Sequence, residues 1–94
     1  MATYVMLSNL TETGAQTLKK RPGRLSEVNK EVEGMGAKIL AQYAVLGPYD
    51  FITIIEAPDN ETISRISVEI SSRGSVKVQT LAATPIEKFV RELK

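Results

Sequence analysis

Hydrophobic positions recur along this chain with two different periods, and the switches between them mark out its elements. Thr3 to Ser8 carries apolar or β-branched residues on both alternating faces, Thr3/Val5/Leu7 and Tyr4/Met6/Ser8, as expected of a central strand. From Thr11 onward Ala15, Leu18, Leu25, Val28, Val32 and Met35 follow a helical stripe that Pro22-Gly23 interrupts, which predicts a short helix, a break and a main helix. Gly34 and Gly36 around Met35 suit the end of that helix. Ala37 to Leu46 then alternates with a more polar face, Lys38/Leu40/Gln42/Ala44, in the manner of an edge strand, and strand parity puts Tyr43 on the face of Ile39 and Val45.

Phe51 to Ala57 is again apolar on both faces and predicts a second central strand. Asp59 is the expected N-cap of a helix whose buried stripe is Ile63, Ile66 and Ile70, ending near Gly74. Ser75 to Ala83 mixes Val76/Val78 with Lys77/Gln79, another edge-like strand. Thr84-Pro85-Ile86-Glu87 matches a capping box with proline at the first helical position, opening a short terminal helix with Ile86, Phe89, Val90 and Leu93 on its apolar side.

The resulting order, β-α-β-β-α-β plus a terminal helix, predicts one α+β domain over residues 1–94: a ferredoxin-like four-stranded antiparallel sheet of order 4-1-3-2 with helices on one face. Periodicity and topology agree in placing the same two strands at the centre. Two-sided apolar character in those strands predicts that the uncovered sheet face pairs with a second copy, giving a homodimer or higher homo-oligomer. The terminal helix would cap that dimer, join dimers together, or lie as a staple on its own subunit.

Composition sharpens this picture. Ninety-four residues with 43% hydrophobic and 24% charged content suit one small domain. A chain of this size buries only about 60–65% of its unfolded surface, which again favours self-association. Twelve basic and eleven acidic residues leave a net charge of +1, too little to attract nucleic acid or an anionic membrane, so neither is an expected partner. The basic run Lys19-Lys20-Arg21-Pro22-Gly23-Arg24 has no interleaved aromatics and reads as a solvated face sooner than as an anion site.

Cysteine and histidine are absent, which argues against disulfides, thiolate and imidazole catalysis, and the usual zinc, haem and iron–sulfur sites; no metal or cofactor is expected. The opening Ala2-Thr3-Tyr4-Val5-Met6-Leu7 has no basic leader and is too short to span a membrane, so a cytoplasmic location is expected.

The remaining candidate chemistry lies in Leu46-Gly47-Pro48-Tyr49-Asp50, a tight turn that feeds the apolar strand starting at Phe51. In the predicted topology the end of the first strand, this hairpin and the start of the last strand share one edge of the sheet. Asn9, Tyr49, Asp50 and Arg73 are therefore expected to be neighbours, a polar mouth for a small ligand, with Tyr43 a further phenol nearby. A purely structural reading also stands, in which Asp50 caps the hairpin backbone and pairs with Arg73, Tyr49 packs on a neighbour, and Gly47 serves the turn.

These residues also carry a family resemblance. Thr3-Tyr4-Val5, the helix start at Thr11 to Gly14, Leu46 to Asp50, Ile55-Glu56-Ala57-Pro58-Asp59 and Gly74 to Ala82 resemble the GYD family of small bacterial and archaeal proteins over nearly the whole chain. The Gly-Tyr-Asp signature of that family is here interrupted by Pro48. The resemblance implies a dimeric α/β-barrel fold and no settled activity. The same turn also looks like the effector-binding domain of Lrp/AsnC-type regulators, which bind amino acids between subunits, though no helix-turn-helix accompanies it here.

Three functions follow as expectations. The first is a sensor or ligand-binding module with its ligand between or beside subunits. The second is a cofactor-free enzyme in which Tyr49 or Asp50 moves a proton and Arg73 stabilises an oxyanion. The third is a structural assembly module.

Overall fold

The computed structural model describes all residues, Met1–Lys94. Strand β1 (Ala2–Leu10) leads into α1 (Glu12–Lys20) and α2 (Arg24–Gly34), followed by β2 (Lys38–Ala44), β3 (Phe51–Ala57), α3 (Asn60–Ser72), β4 (Val76–Ala83) and α4 (Ile86–Glu92). The sheet is antiparallel with order β2-β3-β1-β4, so the two strands with apolar residues on both faces are the central pair. This is the ferredoxin-like arrangement that the hydrophobic pattern predicts, with the Pro22-Gly23 break separating α1 from α2.

Local signals set the helix boundaries. The Thr11 hydroxyl accepts the Gly14 N–H at 3.0 Å and donates to the Gly74 carbonyl at 2.7 Å, so one side chain caps α1 and ties it to the start of β4. Gly14 is buried at this contact, and only glycine fits because a Cβ would lie 1.9 Å from the Ser75 carbonyl oxygen. Asp59 caps α3 through the Thr62 N–H at 2.8 Å, and hydrogen bonding to Thr62 holds its carboxyl below the ordinary range. The start of α4 differs from expectation. Pro85, not Thr84, is the N-cap, and no side chain caps the helix, because proline's extended backbone (ψ 139°) delays the first turn by one residue.

The core lies between the sheet and its helices. Tyr4, Met6, Ile55 and Ala57 from β1 and β3 pack with Val32 of α2, Ala37, and Ile63 and Ile66 of α3; Ile55 and Ile66 are wholly buried. The Tyr4 phenol, inside this layer, donates to Asn60 Oδ1 at 2.5 Å.

The opposite sheet face has no helix over it. Register puts Val5, Leu7 and Asn9 of β1, Ile52 and Ile54 of β3, and Gln79 and Leu81 of β4 on that face. Helix α4 has no buried residue, and its apolar side chains Ile86, Phe89, Val90 and Leu93 are all exposed. With that helix standing off the body, the chain measures 51 × 29 × 19 Å and its radius of gyration is 14.1 Å. A compact domain of this length would have a radius of about 12 Å. No helix is long and apolar enough to cross a membrane.

Candidate functional site

The β2–β3 hairpin reaches its position through glycine and is held there by β1. Gly47 has φ 109°, a left-handed value that a side chain would strain, with open space around it. Its role is the turn. Beyond it the Asp50 N–H donates to the Ser8 carbonyl at 2.9 Å, and the Val45 N–H donates to the Asp50 carbonyl at 2.8 Å. The Asp50 carboxylate accepts the Leu10 N–H at 2.8 Å, and the Asn9 side-chain amide donates to the Pro48 carbonyl at 2.6 Å. Asn9 and Asp50 thus spend these bonds joining the hairpin to the end of β1. Pro48 is compatible with this arrangement, since it contributes its carbonyl and no donor is required of it.

Tyr49 stands over the helix-free face. Its hydroxyl donates to Gln79 Oε1 at 2.8 Å, spanning from the hairpin past β1 to β4. Sequence reasoning missed Gln79 as the phenol's partner. The signal lies in the register, where Gln79 is opposite Leu7 on the same face as Asn9.

Tyr43 joins this face because of an irregularity that strand parity does not anticipate. The pairing of β2 with β3 shifts between Ile39 and Ala41, leaving Leu40 as an extra, half-exposed residue. A bulge of one residue reverses the faces beyond it. Ile39 consequently lies with Ile55 on the helix side, whereas Tyr43 lies opposite Ile52 on the helix-free side, 60% exposed. The expectation that Tyr43 shares a face with Ile39 is therefore corrected.

Arg73 does not pair with Asp50. As the C-cap of α3 it turns its guanidinium to Glu31 of α2 and to Glu69, the latter at 3.3 Å. Glu31 also receives Arg24 of its own helix at 3.3 Å, while its pair with Arg73 joins α2 to the end of α3 across the helix layer. The hydrogen bond from Arg73 is the main cause holding the Glu31 carboxyl below its ordinary range, and Glu31 in turn raises Arg73. Acidic partners one helical turn away and on the neighbouring helix outcompete a carboxylate already bound to backbone. Glu31 carries no pattern in the sequence that distinguishes it from other surface glutamates.

The candidate residues thus divide into an edge group and a helix-layer residue. Asn9, Tyr49 and Asp50 meet at the hairpin edge, Tyr43 shares the open face with Tyr49, and Arg73 belongs to an ion-pair chain elsewhere. No group of three or more acidic residues is arranged to hold a metal ion.

Comparison with known proteins extends this description. A Thermus thermophilus protein named glutamine synthetase and cystathionine beta-lyase binding protein is 50% identical over 95 residues, with both chains covered in full. Solved structures give the fold at lower identity. The crystal structure of FFRP-DM1 aligns with a TM-score of 0.60 at 21% identity, covering 89% of this chain and 100% of the other. TTHA0845 of Thermus thermophilus aligns with a TM-score of 0.58 at 22% identity, covering 90% and 95%. The hypothetical protein PHS023 of Pyrococcus horikoshii gives 0.58 at 21% identity, covering 90% and 92%. Residues 4–92, nearly everything from β1 to the end of α4, match the GYD domain, and the chain belongs to that family.

Proposed function

We propose that this chain is a small self-associating module that binds other proteins, metabolic enzymes among them, through the apolar side of α4. The observation that carries the reading is the exposure of Ile86, Phe89, Val90 and Leu93 on a helix with no buried residue. Their spacing forms one stripe, and an aromatic residue flanked by aliphatics is the usual centre of a protein contact. The full-length relative that is half identical carries the name of an enzyme-binding protein, which supports the same reading. In this proposal the helix-free sheet face, with Val5, Leu7, Ile54 and Leu81, joins two copies, and the cytoplasm is where the partners are met.

The test uses glutamine synthetase and cystathionine β-lyase from the same organism, immobilised and titrated with wild type, Phe89→Asp and Leu81→Asp. We expect Phe89→Asp to weaken binding at least tenfold with unchanged circular dichroism. Leu81→Asp should lower the mass measured by sedimentation equilibrium. Failure of wild type to bind either enzyme, or undiminished binding by Phe89→Asp, would overturn the α4 assignment.

A second reading is a sensor whose ligand sits at the hairpin edge. It is favoured by the presence of Tyr43 and of the Tyr49–Gln79 pair on the same open face, where a ligand held between copies would meet a phenol. Thermal shifts against a metabolite library, lost in Tyr49→Phe, would support it.

A further inference from the structure

Between the sheet and the helices lies a cavity of about 130 Å³. Met6, Leu25, Val28, Ile55 and Ile70 give it apolar walls; Ser8, Leu10 and Phe51 bring one end of it beneath the hairpin edge, on the sheet face opposite Tyr43 and Gln79, and no residue of α4 lines it. Its volume is close to that of the engineered apolar cavity of about 150 Å³ that stays dry and admits benzene.

The polar groups on its lining are the half-buried hydroxyls of Ser8, Thr17 and Ser75, two arginines, and a chain of amides that ends on the buried Thr53. Arg24 and Arg73 at its margin are matched by Glu27, Glu31 and Glu69, so no unbalanced charge is left to recruit an ion. Deeper in, the Asn29 amide donates to Gln42 Oε1 at 2.7 Å, and Gln42 Nε2 donates to the Thr53 hydroxyl at 3.1 Å. Thr53 sits on central strand β3, only 6% exposed, and lines the cavity. Its oxygen is used as an acceptor, while its own proton has no protein acceptor. A buried hydroxyl with an unused proton beside an apolar void is matched by a molecule that brings one acceptor and little other polarity.

We propose that this cavity is a binding site for a small neutral molecule of about six to eight non-hydrogen atoms, apolar except for one hydrogen-bonding oxygen that accepts from the Thr53 hydroxyl. The carboxylates that engage Arg24 and Arg73 make an anionic ligand the wrong class, because it would have to displace Glu31. The site depends on neither the protein-binding reading nor the sensor reading above.

Methyl-region NMR of the full chain, titrated separately with benzene and phenol, tests this. Both probes should shift the methyls of Leu18, Leu25, Val28 and Ile70, and phenol should bind about fivefold more tightly, the worth of one net hydrogen bond. Thr53→Val keeps the shape and should bring phenol down to the affinity of benzene. Val28→Phe fills the space and should abolish both responses; Ser8→Leu fills it from the sheet side and serves if Val28→Phe does not fold. Absence of shifts in wild type, or shifts that persist in a folded filled variant, would overturn the site. A preference for phenol that survives Thr53→Val would overturn the role given to the hydroxyl.

Discussion

The two faces of the sheet are built from similar residues and meet different fates. On the helix side Ile55 of β3 is sealed beneath helices, together with Ile66 of α3. On the other side Ile52 and Ile54 stay partly open, Leu81 is half exposed, and α4 adds four more apolar side chains to solvent. Hydrophobicity alone does not distinguish them; coverage does. Apolar surface buried inside the subunit contributes to folding, whereas the same surface left outside is available to other molecules.

Substitutions that treat the two faces alike should therefore give unlike results. The largest effect is expected from Ile66→Ala, which removes a wholly buried side chain and should cost roughly 2–5 kcal/mol by urea denaturation. Leu81→Ala on the open face should stay within about 0.5 kcal/mol and, under the proposed pairing of two copies through that face, make the Tm less dependent on protein concentration. Equal losses from the two would break the comparison.

Gly14→Ala comes next. The added methyl would meet the Ser75 carbonyl at 1.9 Å, so α1 and the start of β4 must separate, at about 1–3 kcal/mol. Gly23→Ala is its control, since nothing lies within 4 Å of a Cβ there, and a Tm drop matching that of Gly14→Ala would show that the close approach is not the cause. Thr11→Ala, which removes the cap bond to Gly14 and the bond to Gly74, should cost about 1 kcal/mol.

The smallest effect concerns pH. Arg73 lowers the Glu31 carboxyl in the folded state below its ordinary value of 4.5, so its contribution is present above that pH and fades as pH falls through the folded value. Glu31→Gln should lose stability less steeply than wild type between about pH 5 and 3, as read from urea midpoints. Identical slopes would mean that these exposed ion pairs add nothing to the helix layer.

Much of this architecture was legible in the sequence because its signals are local. Alternation in Thr3–Ser8 and Phe51–Ala57 marked the central strands, Thr11 and Asp59 marked helix starts, and Gly47 marked the hairpin. Antiparallel topology then sufficed to bring Asn9 to Pro48 and Asp50 to Leu10 across the sheet edge. Thr84 misled because a capping box resembles its own one-residue displacement when proline follows.

What only the tertiary structure decided depends on groups far apart in sequence. The bulge at Leu40 comes from pairing with β3, and it moved Tyr43 to the open face although every residue of β2 obeys its local pattern. Arg73 had several carboxylates within topological reach, and the packing of α2 beside the end of α3 gave it Glu31. Period and capping chemistry act over a few residues, so the chain by itself determined its elements and their order. Face, ion-pair partner and cavity depend on how distant elements settle against one another, which is fixed only when the whole domain packs.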